Sequence, residues 1–121
     1  MDTQIDRPSH WLQWAHETFG DVALDPYERA LRFVEEAVEL AQAIGLDANE
    51  VSAIIGRVYA RPAGDVQREV GQCLACFETL ARVLKVDSDH EATAELARVK
   101  AIPREEWARR HGAKVALGIA R

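Results

Sequence analysis

The stretch Asp25-Pro26-Tyr27-Glu28-Arg29-Ala30-Leu31-Arg32-Phe33-Val34-Glu35-Glu36-Ala37-Val38-Glu39-Leu40-Ala41-Gln42-Ala43-Ile44-Gly45 decides how this chain is read. Asp25 offers a short acceptor to the free N–H groups of a first helical turn, and Pro26 has its φ already set for the first helical position. Gly45 suits the left-handed residue that ends many helices. Between these signals Leu31, Phe33, Val34, Ala37, Val38, Leu40, Ala41 and Ile44 fall on one arc. The pattern predicts a helix from Pro26 to about Ile44.

Working outward, the same punctuation recurs. Ser9 to Phe19, with Trp11, Trp14 and Ala15 inward, reads as a helix stopped at Gly20. Asp47 or Asn49 caps a shorter segment with Val51, Ile54, Ile55, Val58 and Tyr59, which closes at Arg61-Pro62-Ala63-Gly64 because the residue before proline resists helix. Asp65 starts a long helix to about Lys85. Ser88-Asp89-His90-Glu91 has a capping-box pattern and opens a helix to about Ala101, and Pro103 begins a last one, interrupted at Gly112. Strand signals are missing, since no period-two alternation is sustained. The expected class is all-α.

At 121 residues the chain fits one domain with a core of its own. Apolar residues at 48 % and charged ones at 29 % match an ordinary globular protein. No apolar run approaches the roughly 20 residues of a membrane span, and Met1 to Pro8 lacks the pattern of a secretory signal and reads as a short, loosely held arm. Cys73 and Cys76 lie one helical turn apart, and His10, His16, His90 and His111 are scattered, so no zinc site follows. The cysteines read as small core-facing thiols of a cytoplasmic protein. A formal charge of −5 argues against a general nucleic-acid binder but leaves a nucleotide ligand open. The last stretch carries Lys100, Arg104, Arg109, Arg110, Lys114 and Arg121 against only Glu105 and Glu106, a basic end suited either to a polyphosphate or to water.

With about 100° of turn per residue, Glu35 and Glu39 stack on one side of the central helix, with Glu36 beside them. Alone, that is equally the wet side of an amphipathic helix. Glu69 is different, because the wheel of its helix places it among Val66, Cys73, Cys76, Leu80 and Val83, where an acid needs a cation, a proton or an arginine such as Arg29 or Arg32. Gln72, one turn on, offers a further oxygen. All-oxygen sites of this kind suit Mg²⁺.

Glu35-Glu36-Ala37-Val38-Glu39 followed by Glu69-Val70-Gly71-Gln72 resembles the motif of the MazG-like, all-α nucleoside triphosphate pyrophosphohydrolases. The resemblance covers roughly residues 26–85 and leaves the basic C-terminal helix, about 103–121, outside it. It implies a four-helix-bundle core with additional short helices, Mg²⁺ as cofactor, a nucleoside triphosphate as substrate, and a nucleoside monophosphate and pyrophosphate as products. Carried over by position, Glu36, Glu39, Glu69 and Gln72 would be metal ligands, while Glu35 and Glu39 would serve catalysis. The family also implies a homodimer or homotetramer, with which the apolar positions of the Val51 to Tyr59 helix are compatible. Trp14 is a candidate for the base, and Lys100, Arg109 and Lys114 for the phosphates. The departure is Gln72, where the family has aspartate. Its uncharged amide leaves a second reading, a non-catalytic nucleotide-binding or helical interaction protein on the same scaffold.

Overall fold

The structure is a computed structural model and describes residues 6–121. The chain is all-α, with no strand among the described residues. Its helices are α1 (Arg7–Phe19), α2 (Pro26–Ile44), α3 (Ala48–Tyr59), α4 (Val66–Leu84), α5 (Ser88–Lys100) and α6 (Arg104–Ala116), with a 3₁₀ turn at Gly20–Leu24 between the first two. No helix of the described residues is long and apolar enough to cross a membrane.

Local chemistry accounts for the boundaries. Asp25 accepts from the Tyr27 N–H, and Gly45 ends α2 at φ 117°. Asp47 and Glu50 form a reciprocal capping box on α3, which settles the choice between Asp47 and Asn49. Asp65 caps α4, and Lys85 closes it in the left-handed region at φ 59°.

Three expectations are corrected. Residues 1–5 of the N-terminal arm lie outside the described residues, but Asp6 caps α1, Arg7 and Pro8 form its first turn, and Arg7 pairs with Asp89 at 2.9 Å. Asp87, not Ser88, caps α5 by accepting from the His90 N–H. Finally, α6 runs through Gly112 unbroken. A glycine costs a helix interior only about 1 kcal/mol, and α6 is anchored on either side of it by Trp107 and Lys114.

The tightest packing is of α1 against the 3₁₀ turn and α6, with the turn also resting on α2. Ala15, Ala23, Ala81 and Val99 are buried. Edge-to-face aromatic pairs bridge α1 and α6: Trp107 meets Trp14 at 5.3 Å and Phe19 at 6.1 Å. Such pairs contribute roughly 0.5–1.5 kcal/mol each beyond their buried area.

The other buried group is an acid. Glu28 is 0 % exposed. Its Oε2 accepts the Arg121 N–H at 2.7 Å, and its Oε1 lies 3.1 Å from Arg32 Nε and 3.8 Å from His111 Nδ1. The Arg32 contact is close but not aligned as a hydrogen bond, so attraction there is Coulombic. The segment after α6 is held by its backbone, since Arg32 also donates to the Ile119 carbonyl, and the His111 ring meets the Arg121 carbonyl at 2.8 Å. The Arg121 guanidinium lies 4.7 Å from the Tyr27 ring centroid.

The opposite half of the molecule is open. Val66, Val70, Leu74 and Phe77 form a stripe on α4 that stays exposed, as do Ile54, Ile55 and Val58 on α3 and Val34 and Val38 on α2. The accessible surface is 9798 Å², about half as much again as the roughly 6,500 Å² of a compact chain of this length. Cys73 and Cys76, expected in a core, are exposed on α4 for the same reason.

Removing the buried acid tests how far it organises this half of the fold. Glu28→Ala leaves the Arg121 N–H without its acceptor and Arg32 Nε without its counter-charge, and should cost about 3–5 kcal/mol in urea unfolding at fixed protein concentration. A loss below about 1 kcal/mol, the size of an ordinary surface change, would show that the network is peripheral.

Candidate functional site

Between α1, α2, α5 and α6 lies a cavity of about 660 Å³. Its size falls within the range of small-molecule sites. Trp11, Trp14 and Phe19 come from α1, and Trp107 from α6. The Trp107 Nε1–H donates to the Val99 carbonyl at 3.3 Å, which fixes the indole against α5. Glu28, Arg29, Arg32 and Glu36 line the cavity from one side of α2, because at about 100° of turn per residue their positions fall within an arc of about 100°. The combination of flat aromatic surfaces with charged groups of both signs suits an aromatic ligand that carries phosphates.

Most cations around the cavity are already paired. Lys114 Nζ lies 2.6 Å from Glu35 Oε1, and Arg32 Nη1 lies 3.2 Å from Glu35 Oε2. Arg98 donates its Nε–H to Glu95 at 2.8 Å. Arg110 contacts Glu106 at 3.0 Å and stacks over Trp107 at 5.0 Å. The half-buried Glu106 is also gripped by Arg109, and hydrogen bonds from these two arginines hold its carboxyl pKa at about 2.

The candidate metal ligands divide into two sets. Glu36 lines the cavity, and Glu39 follows on the same face of α2. Partial burial raises the Glu36 pKa, repulsion from Glu39 and a hydrogen bond to it push the same way, Glu35 adds to this, and Lys114 opposes it. Burial and the crowding of like charges both favour the protonated carboxyl. Glu69 and Gln72 do not join them, and no group of three or more His, Cys, Asp or Glu side chains able to hold a metal ion occurs among the described residues.

Glu69 is therefore corrected from protein-facing to exposed. It makes no ion pair among the described residues, and Arg32, one of its expected partners, serves Glu28 and Glu35 instead. The wheel placed Glu69 with Val66, Cys73, Cys76, Leu80 and Val83, but among the described residues nothing buries Val66, Glu69, Cys73, Cys76 or Val83. The Glu69 carboxylate rests over the bare Cα of Gly64, where a methyl group would meet its Oε1 at 2.7 Å.

Among the other candidates, Trp14 and Lys114 line the cavity, whereas Lys100 and Arg109 do not. Lys100 is exposed, and Arg109 is committed to Glu106. Trp107, Arg98 and Arg110 were not singled out by the sequence. Their helices had no signal linking them to α2, although the basic character of the C-terminal stretch pointed to the region. Comparisons with known proteins return no match to a family model, a curated protein or a solved structure.

The raised Glu36 pKa fixes the sign of a pH effect. An acid whose folded-state pKa lies above the ordinary 4.5 contributes stability below that value, and this is lost as pH rises through the folded pKa. In EDTA, Glu36→Gln should therefore melt at a higher temperature than the parent at about pH 7, with the advantage disappearing by about pH 4. A variant that is less stable than the parent at neutral pH, yet equal to it in acid, would reverse the assignment.

Proposed function

We propose that this chain is a Mg²⁺-dependent nucleoside triphosphate pyrophosphohydrolase of the MazG-like type, releasing a nucleoside monophosphate and pyrophosphate. The observation that carries this reading is the cavity in which Trp14, Phe19 and Trp107 stand beside Arg98, Lys114 and the acid Glu36. An aromatic surface takes the base, and cations beside a crowded acid take the phosphates. The Glu35-Glu36-Ala37-Val38-Glu39 and Glu69-Val70-Gly71-Gln72 segments support the same reading by their resemblance to the family.

The donor set within one chain is incomplete for a metal. Glu36 and Glu39 provide oxygens that suit a hard cation, and their mutual repulsion favours one. Glu69 and Gln72 stand on the exposed face of α4 and reach the acids of α2 only when that face is covered. The cover we propose is a second copy, making the protein a homodimer or a pair of such dimers, with the four-helix bundle formed between chains. The surface left open is of the size that obligate dimers bury, and apolar stripes on α2, α3 and α4 supply it.

In this arrangement Mg²⁺, when bound, neutralises phosphate oxygens. Glu39, which has no cation partner among the described residues, orients the attacking water. Glu35 fixes Lys114 through a 2.6 Å contact and so holds that side chain at the cavity wall. This is a narrower role than that of an auxiliary ligand or base. Trp14 and Trp107 hold the base.

Gln72 favours a second reading, a nucleotide-binding protein without turnover, because its amide brings no charge to a metal site.

Incubation with a panel of canonical and modified nucleoside triphosphates and Mg²⁺ should yield monophosphate and pyrophosphate, and Glu69→Gln should abolish the reaction without loss of helix. Bound nucleotide with no turnover across the panel would select the second reading. Sedimentation at micromolar concentration should show a dimer or larger species, and Leu74→Glu, which charges the middle of the α4 stripe, should yield inactive monomers. A parent chain that sediments as a monomer would remove the inter-chain site.

A further inference from the structure

Of the cations that line the aromatic cavity, Arg29 is the one without a carboxylate partner among the described residues. Its neighbours are neutralised in turn: Arg32 by Glu28 and Glu35, Lys114 by Glu35, Arg98 by Glu95, and Arg110 by Glu106. The Arg29 Nε is buried and has no hydrogen-bond acceptor. A guanidinium N–H removed from water without a partner is costly, and an anion that restores the bond gains the most from it. Burial lowers the Arg29 pKa, the nearby Glu28 opposes this, and repulsion from Arg32 adds to it. The group is thus a partly buried cation whose Nε–H lacks an acceptor, in a neighbourhood where the attraction of Glu28 outweighs the repulsion of Arg32.

We propose that Arg29 receives a phosphate of the bound ligand and is the residue by which this cavity separates phosphorylated nucleosides from unphosphorylated ones. The proposal rests on the nucleotide reading above and adds a determinant to it. A guanidinium presents its N–H groups as a planar fork that matches two oxygens of a phosphate, which neither an ammonium nor an amide reproduces. Arg29 and Glu36 share a face of α2 and are two turns apart, about 10 Å along the axis. The two side chains and a phosphate chain between them fill that interval. The aromatic wall is open to any base, so discrimination by the phosphate falls to the cation that is not already neutralised.

The test is a titration in EDTA, read by the intrinsic fluorescence of the cavity tryptophans, with the common nucleosides and their 5′-monophosphates as paired probes. The parent chain should bind monophosphates about ten-fold or more tightly than the corresponding nucleosides, the worth of one charge-assisted hydrogen-bonded contact. Arg29→Gln should collapse that ratio and leave nucleoside affinity within about two-fold, a change no larger than that from an ordinary surface substitution. Arg29→Lys, which keeps the charge but not the fork, should fall between them and guards against a variant that fails to fold. A parent that does not prefer monophosphates, or an Arg29→Gln that weakens both probes alike or leaves the ratio intact, overturns the proposal. Because no metal is present, the outcome is separable from hydrolysis. Absent turnover with the phosphate preference retained sinks the enzyme reading alone, and intact turnover with an unchanged ratio sinks Arg29 alone.

Discussion

A single carboxylate, that of Glu28, has no access to water, and the arrangement around it follows from that constraint. A buried charge must be met by cations and hydrogen-bond donors, and these come from three parts of the chain: Arg32 on α2, His111 on α6, and the backbone N–H of Arg121. Meeting that demand draws the segment after α6 onto the start of α2. The Trp14–Trp107 contact draws α6 onto α1. With both ties in place, the three helices and α5 enclose a space that their side chains do not fill. The cavity is thus a product of one polar and one aromatic constraint acting on helices with little other packing between them.

The same economy leaves the rest of the molecule unfinished. An apolar stripe on α4 and apolar residues on α2 and α3 remain in contact with water, and hydrophobic surface of that extent is seldom left uncovered on a chain that acts alone. Glu69 and Gln72 ride on this open half, whereas Glu36 faces the cavity of the closed half. Whatever covers α4 therefore also decides where its acid lies. On the reading proposed above, association and metal binding would be coupled through this one helix.

Charge is distributed unevenly in the closed half. Glu35 is occupied by two cations and Glu28 by its network, while Glu36 and Glu39 repel one another and Arg29 stands without a carboxylate. The neutralised pairs build the walls. The unneutralised groups, the Glu36 and Glu39 pair and the single Arg29, are the ones that the proposed reading assigns to a cation and to a phosphate.

The helices themselves were legible in the sequence because their ends are set by local chemistry. Asp25, Asp47, Asp65 and Gly45 act on residues within a few positions of themselves, and the predicted bounds of α2 and α4 hold. The crowding of Glu36 and Glu39 is also a property of one helix and could be read from spacing alone. What lies opposite a given face is not local. The wheel marked Glu69, Cys73 and Cys76 as an inward side, yet burial depends on a second surface that this chain does not supply. Likewise, nothing in the spacing of Trp107, Arg110 or His111 relates them to Arg29, about two thirds of the chain away. The sequence determined which helices form and which side of each is apolar. Only the tertiary structure decided which sides meet, because that choice is made by long-range contacts: the buried charge of Glu28 and the edge-to-face rings of Trp14 and Trp107.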